Sequence, residues 1–197
     1  MSKKVLLVLG YGVNNPLLDE YLIADSDYSQ YDLVVFSGGF TSCDPSDLSE
    51  AETMFKFSHN WVEWDEICDF NHFRILTNDD PKFPYNIILD ERPITSYQNF
   101  YYFSQFIEED DQICIKCDAN RLGRIKTLAK LHLNKNEVEF LPYSFYETNA
   151  VSQMKEVLMS VVYIAMTIPV LGNVLQDKIA QKRTKTIQSG GANSFIR

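Results

Sequence analysis

Short, unbroken runs of apolar residues recur along the chain, and most of them end at a glycine or an aspartate. Such runs are typical of strands that are buried on both faces, as in a parallel sheet. The last run alternates apolar and polar residues, which indicates a strand at a sheet edge. The pattern predicts five strands, over residues 5–9, 32–36, 86–89, 112–117 and 137–141.

Between these runs, apolar residues recur at the spacing of an amphipathic helix. The predicted helices cover residues 17–24 and 48–64, a segment capped by Thr95 or Ser96, and residues 121–133. The stretch 68–84 fits neither pattern, and we expect an irregular segment with one helical turn. Strands that alternate with helices predict right-handed βαβ units. The expected fold is α/β, a three-layer sandwich whose Rossmann-like, mostly parallel five-stranded sheet carries helices on both faces.

The C-terminal part of the chain holds a long uncharged stretch. Residues 157–175 are nineteen residues without a charge, long enough to be considered as a membrane span. Pro169 would break a helix there. We therefore expect C-terminal helices over 151–183 that pack on the domain formed by 1–150, followed by a flexible tail over 184–197. Membrane contact through 157–175 is the alternative, and it is favoured by the basic residues Lys178, Lys182, Arg183 and Lys185, which suit anionic lipid.

Composition narrows the class of protein. The 197 residues are enough for one domain with a substantial core. The net charge of −9 argues against nonspecific nucleic-acid binding, which needs a basic face. Only five apolar residues follow Lys4, too few for the core of a secretory signal. We expect a cytoplasmic protein, with membrane association through the C-terminal segment as the alternative, and four reduced cysteines.

Cysteine and histidine give no sign of a metal or redox site. Cys114 and Cys117 form a C-x-x-C sequence, but they lie in a predicted strand, where residues three apart point to opposite faces. The histidines His59, His72 and His132 are scattered, and we expect them on the surface or on a helix face. No metal ligands are therefore predicted.

The turn Ser37-Gly38-Gly39, after the second strand, is the clearest candidate for a ligand site. Glycine lets the backbone turn sharply, and we expect it to leave amide N–H groups uncovered. The next helix begins near Ser49 and Glu50, and exposed amides beside a helix N-terminus favour an anion. Open α/β sheets bind ligands at such strand ends. A plain connecting turn is the alternative.

Four motifs occur in an order that resembles one family. They are Val-Leu-Gly at 8–10, Val-Phe-Ser-Gly-Gly at 35–39, Ser-Glu-Ala-Glu at 49–52, and Leu-Asp-Glu at 89–91 with Thr-Ser-Tyr-Gln-Asn at 95–99. Over residues 5–133 the chain resembles the YdcF/SanA family, a bacterial domain family of largely unknown function. The resemblance implies a Rossmann-like fold with a nucleotide or S-adenosylmethionine-type ligand over the strand ends.

The family pattern also implies roles for particular residues. It has an acid before a Thr-x-x-Asn step, which here corresponds to Asp90 or Glu91 followed by Ser96 and Asn99. Arg121 stands where the family usually has a histidine, and Arg124 matches the family's arginine. Loss of the histidine removes a general base and adds a fixed positive charge. The resemblance therefore leaves catalysis open.

We accordingly expect a nucleotide or S-adenosylmethionine-like small molecule at the carboxyl edge of the sheet, bound by a transferase or hydrolase of unknown substrate. A non-catalytic family member, acting as an interaction or membrane/envelope-associated module, is the alternative. The candidate catalytic acids are Glu50, Asp90 and Glu91. The expected ligand-binding residues are Gly10, Tyr11, Ser37, Gly38, Gly39, Ser49, Glu50, Ser96, Asn99, Asp118, Arg121 and Arg124.

Overall fold

One sheet of seven strands organises the chain. The computed structural model describes residues 2–10, 16–24, 27–40, 48–59, 63–69, 72–145, 150–166 and 169–188. The strands are β1 (Lys4–Leu9), β2 (Leu33–Ser37), β3 (Asp65–Asp69), β4 (Phe73–Thr77), β5 (Asn86–Asp90), β6 (Gln112–Asp118) and β7 (Glu137–Tyr143). They lie in the order β3-β4-β5-β2-β1-β6-β7.

The five predicted strands are all present and form the parallel part of the sheet, in the order β5-β2-β1-β6-β7. Every residue from Val5 to Leu9 in β1 is buried, because helices cover both faces of the sheet. This is the physical reason for the unbroken apolar runs. The α/β prediction is confirmed, whereas the expected number of strands was wrong, since the sheet has seven strands rather than five.

The two additional strands, β3 and β4, form an antiparallel hairpin at one edge of the sheet. The expectation of an irregular segment with a helical turn was therefore wrong for this stretch. The hairpin lacks a clean apolar period because Asp65, Glu66 and Ile67 are all exposed on the edge strand. The pairing also shifts register between Glu66 and Cys68. In the connection, His72 adopts a left-handed φ of 70°.

Six helices connect or follow the strands within the described residues. They are α1 (Leu18–Ile23), α2 (Glu50–His59), α3 (Ser96–Phe103), α4 (Leu122–His132), α5 (Ala150–Ala165) and α6 (Pro169–Gln188). The helix predicted over 48–64 is shorter than expected, and residues 60–62 lie outside the described part of the chain. The cap of α3 is Thr95, whose hydroxyl accepts a hydrogen bond from the Gln98 amide at 3.2 Å. Such a cap stabilises a helix by about 1 kcal/mol.

Alternate residues of the central strands feed two separate apolar cores. Val5 and Leu7 pack with side chains of α3, α4 and α5, whereas Leu6 and Val8 pack with side chains of α1 and α2. Burial of each such side chain contributes about 1.5–3 kcal/mol, so both layers hold the helices firmly on the sheet. Helices after β1 and after β6 therefore lie on opposite faces.

The C-terminal helices pack against the same apolar core as α3 and α4. Tyr163 and Met166, at the end of α5, are buried in that core. Pro169 is the first residue of α6, where its missing N–H leaves no hydrogen bond unmade. The predicted tail over 184–197 is helical as far as Gln188, and residues 189–197 lie outside the described part of the chain. Among the described residues, no helix combines the length and apolar character needed to cross a bilayer.

Candidate functional site

Four parallel strands bring the predicted site residues to one edge of the sheet. The strand register places Leu9 beside Ser37, and Ser37 beside Asp90. On the other side of β1, Val8 pairs with Lys116, so that Gly10 and Asp118 continue along neighbouring strands. Residues far apart in sequence thus meet where these strands end. Tyr11, which follows Gly10, lies outside the described residues.

The strand order reverses direction between β1 and β6. From β1 the chain passes through α1 to β2 on one side, whereas β6 leads through α4 to β7 on the other side. The two connecting helices cover opposite faces of the sheet. A crevice opens at such a switch point in open α/β sheets, outside the carboxyl ends of the strands. Here the two strand ends carry Gly10 and Asp118.

The glycine turns do not present free amides, so that expectation was wrong. The Gly10 N–H donates to the Ser37 carbonyl at 2.9 Å, the Gly38 N–H to the Asp90 carbonyl at 3.0 Å, and the Gly39 N–H to the Pro93 carbonyl at 2.7 Å. The backbone hydrogen bonds between the strands continue into the turns. The amide N–H groups that an anion would need are therefore already bonded to carbonyl groups. An anion cradle made of these three amides is therefore absent.

The first two glycines instead make room for the side chain of Glu50. A Cβ on Gly10 would overlap the Glu50 carboxylate, and a Cβ on Gly38 would lie 2.7 Å from its Oε2 atom. A Cβ on Gly39 would lie 2.5 Å from the Pro93 carbonyl oxygen, so that position needs glycine for a different reason. The Glu50 carboxylate accordingly lies over the ends of β1 and β2.

Ser49 and Glu91 belong to a polar cluster that fixes the start of α2. The Ser49 hydroxyl accepts a hydrogen bond from the Glu52 amide at 2.9 Å, as a helix cap does. The same hydroxyl donates to Glu91 Oε1 at 2.5 Å. Both residues are buried. Ser49 thus acts through the position of α2, one residue before Glu50.

Arg74, on β4, completes this cluster and was not expected from the sequence. Its Nη2 lies 3.0 Å from Glu91 Oε1 and 3.1 Å from Glu52 Oε2, and its Nη1 lies 4.0 Å from Glu66 Oε2. Burial alone would lower the pKa of Arg74, but the three carboxylates outweigh it and raise that pKa. The Glu91 carboxylate is therefore neutralised within the protein.

Asp90, the second candidate acid on this strand, is also neutralised. Its side chain is completely buried, and Arg92 donates from Nε to Oδ1 at 2.7 Å and from Nη2 to Oδ2 at 3.0 Å. Two-pronged pairing of this kind is the strongest form of carboxylate–guanidinium contact. The Arg92 guanidinium also lies over the rings of Phe73, Tyr102 and Phe106. Asp90 thus has the contacts of a structural residue.

The helix α3 adds two predicted polar residues to this region. Asn99 Oδ1 accepts a hydrogen bond from the Ser37 hydroxyl at 3.3 Å, which links α3 to the end of β2. Ser37 is fully buried and Asn99 is half-buried. Ser96 is the first residue of α3 and is half-buried as well. This hydrogen bond joins two of the residues that the sequence analysis expects to bind a ligand.

Asp118, the last residue of β6, places a buried carboxylate at this edge. It is buried, and its Oδ1 accepts a hydrogen bond from the Asn120 amide at 3.0 Å. Within the described part of the chain, its buried Oδ2 has no hydrogen-bond partner. Arg121 forms an ion pair with it, with Nε 3.8 Å from Oδ2, and the Arg121 side chain is 37% exposed. An acceptor in this state is unfavourable until a donor reaches it.

Arg124 points to a different partner from the one expected. Its Nε lies 3.1 Å from Glu156 Oε2, and the pair joins α4 to α5. Burial and the nearby Arg121 lower the pKa of Arg124. This ion pair joins two helices, but neither Arg124 Nε nor Glu156 Oε2 has a hydrogen-bond partner among the described residues. Sequence reasoning missed Glu156 because the pairing depends on how α5 packs.

Two cysteines and one histidine from the sequence analysis lie inside the fold. Cys114 and Cys117 face opposite cores, as their spacing in a strand requires, and burial raises the pKa of Cys117 to about 12. His59, the last residue of α2, lies on the buried face of that helix in an aromatic cluster. No group of three or more potential metal ligands occurs among the residues that the structure describes.

Comparison with known proteins identifies no relative of this chain. Neither a protein-family model, nor a curated protein, nor a solved structure matches the chain.

Proposed function

We propose that the protein binds a small molecule of the nucleotide or S-adenosylmethionine class in the crevice between the carboxyl ends of β1 and β6. The observation that carries the proposal is the buried Asp118 Oδ2, which lacks a hydrogen-bond partner among the described residues at the switch point of the sheet. Ligand hydroxyl or amine groups supply the donor that such an oxygen needs. The resemblance to the YdcF/SanA family favours the same ligand class.

The charges at this edge indicate which part of the ligand meets which residue. The Glu50 carboxylate lies over Gly10 and Gly38, beside the strand end that neighbours Asp118. These two acids suit the ribose hydroxyls or the ammonium group of the ligand. The partly exposed Arg121 guanidinium suits a phosphate or carboxylate.

Asp90, Glu91 and Arg124 have a supporting role in this proposal. Each is buried and paired with an opposite charge inside the protein. A buried charge that already has its partner gains little from a ligand, and removing that partner costs about 3–5 kcal/mol. Among the candidate acids we retain Glu50 for proton transfer, because its carboxylate lies over Gly10 and Gly38 at the strand ends. Which reaction class applies, transferase or hydrolase, depends on the ligand that binds.

Calorimetric titration tests the proposal with S-adenosylmethionine, ATP and AMP as probes. We expect at least one probe to bind, and the Asp118→Asn variant to bind it at least about tenfold more weakly, because a hydrogen bond to a charged group is worth about 1.5–3 kcal/mol. Asparagine retains the side-chain oxygen that accepts from Asn120. Glu137→Gln is the matched control, since Glu137 is an exposed acid at the opposite end of a parallel strand.

Two results would overturn the proposal. One is the absence of binding by all three probes at millimolar concentration. The other is binding that the Asp118→Asn and Glu137→Gln variants weaken equally, because a nonspecific effect of lost negative charge would then explain it.

A further inference from the structure

The outward side of α5 is an exposed apolar surface. Six residues on this side each expose more than half of their surface, namely Val151, Met154, Val157, Leu158, Val161 and Ile164. They recur at intervals of three and four residues, so they form one stripe along the helix. From the first to the last, the stripe is about 20 Å long at 1.5 Å per residue.

The opposite side of the same helix is also apolar and packs on the core. Tyr163 and Met166 are buried there, and Met159 and Val162 are partly buried against the same cluster. An apolar side of a helix usually packs against another apolar surface. Exposed contiguous apolar patches on soluble proteins mark contact sites for other proteins or for membranes. The outer stripe of α5 therefore needs an occupant.

Charge indicates which occupant fits. The segment 150–188 contains five lysine or arginine residues and two acids, a net charge of +3, whereas the whole chain carries −9. The remaining residues therefore carry −12. On α6, the exposed residues Lys178, Lys182 and Lys185 recur at helical spacing along one side. The segment that carries the apolar stripe thus has a net positive charge, whereas the rest of the chain is acidic.

We propose that the outer stripe of α5 and the lysine side of α6 bind the surface of an anionic lipid bilayer. The apolar side chains enter the boundary between headgroups and acyl chains, and the lysines contact the anionic headgroups. The helix lies on the bilayer rather than across it. A second copy of the chain fits less well, because pairing through α5 would bring two positively charged segments together.

Vesicle flotation of the full chain tests this assignment. The vesicles consist of phosphatidylcholine alone, or of equal parts phosphatidylcholine and phosphatidylserine. We expect binding only to the anionic vesicles. The variant with Lys178→Gln, Lys182→Gln and Lys185→Gln is expected to bind about a hundredfold more weakly, at about fivefold for each lysine. The matched control replaces Lys3, Lys82 and Lys130, which are exposed lysines elsewhere, with glutamine.

A second pair of variants tests the apolar stripe. Leu158→Glu should lower vesicle binding at least about tenfold, since it removes an apolar side chain and adds a charge. Ile67→Glu changes an equally exposed side chain on the edge strand β3 and should bind like the unaltered protein. Circular dichroism checks that each variant is folded.

Three results would overturn the assignment. The first is absence of binding to anionic vesicles by the unaltered protein. The second is equal binding to neutral vesicles, which would remove the role of the lysines. The third is a stable dimer by sedimentation equilibrium that Leu158→Glu dissociates, because a second copy would then be the occupant of the stripe.

Discussion

Acidification is expected to destabilise this protein through the buried His59. The side chain is 1% exposed, its Nδ1 lies 2.6 Å from the Ser58 hydroxyl, and its Nε2 lies 2.9 Å from the Tyr85 hydroxyl. The imidazole stacks on Phe55 with an angle of 8° between the rings, and Trp64 meets it edge-on. No carboxylate is among these contacts. Burial lowers the pKa of His59 to about 4, because the charged form would lose its hydration.

The sign of the effect follows from the two protonation equilibria. The unfolded chain binds a proton at His59 near the ordinary pKa of about 6.5, whereas the folded protein does so only near 4. The contribution of His59 to the free energy of unfolding is therefore fully present above about pH 6.5 and falls as the pH drops from about 6.5 to about 4. Below about pH 4 it changes no further. At about pH 5 the loss from this one group is about 2 kcal/mol.

Urea unfolding at about pH 7.5, 6 and 5 measures this loss. We expect the free energy of unfolding to fall by about 2 kcal/mol over this range in the unaltered protein, and to fall much less in the His59→Gln variant. His132→Gln is measured as well, because burial also lowers the pKa of His132 and this residue contributes to the pH dependence that remains in His59→Gln. Equal pH dependence in His59→Gln and the unaltered protein would refute the reasoning. A pKa near 6.5 for His59 in a proton NMR titration of the folded protein would do the same.

Two further substitutions test the packing of the site. Arg74→Gln leaves the buried Glu91 without its cation and should lower the free energy of unfolding by about 3 kcal/mol in urea, whereas Lys135→Gln, in an exposed ion pair, should change it little. Equal effects would show that the Arg74 cluster is not structural. Gly10→Ala should destabilise by about 2 kcal/mol through overlap with Glu50, and Glu50→Ala should recover at least about half of that loss in a double-mutant cycle. Simple additivity would contradict the proposed contact.

The parallel strands were predictable because burial on both faces leaves a simple pattern. Residues 5–9 are apolar without interruption, and the structure buries each of them. The hairpin escaped prediction because its outer strand is exposed and begins with Asp65 and Glu66. Such a strand is stabilised by its pairing with β4, which a reading of local pattern does not detect.

The site was predictable in position and less so in its contacts. Strand ends in a parallel sheet share one edge, so that Ser37, Asp90 and Asp118 had to lie at the same edge. The partners of the charged residues depend on tertiary packing. Arg74 comes from the hairpin and Glu156 comes from α5, and neither position carries a local signal of its role. The expectation of free amides after β2 was wrong for the same reason. The carbonyl groups that accept hydrogen bonds from these amides lie on β5 and in the segment that follows it.

The central claim is that a ligand binds where β1 and β6 end, beside Asp118. An NMR titration of isotopically labelled protein with S-adenosylmethionine measures this most directly, by the backbone amide shift of each residue. We predict the largest changes at Gly10, Gly38 and Asp118, and small changes at Lys4 and Gln112, which lie at the opposite ends of the same strands. Saturable changes centred away from this edge, or no changes at all with S-adenosylmethionine, ATP and AMP in turn, would contradict the account.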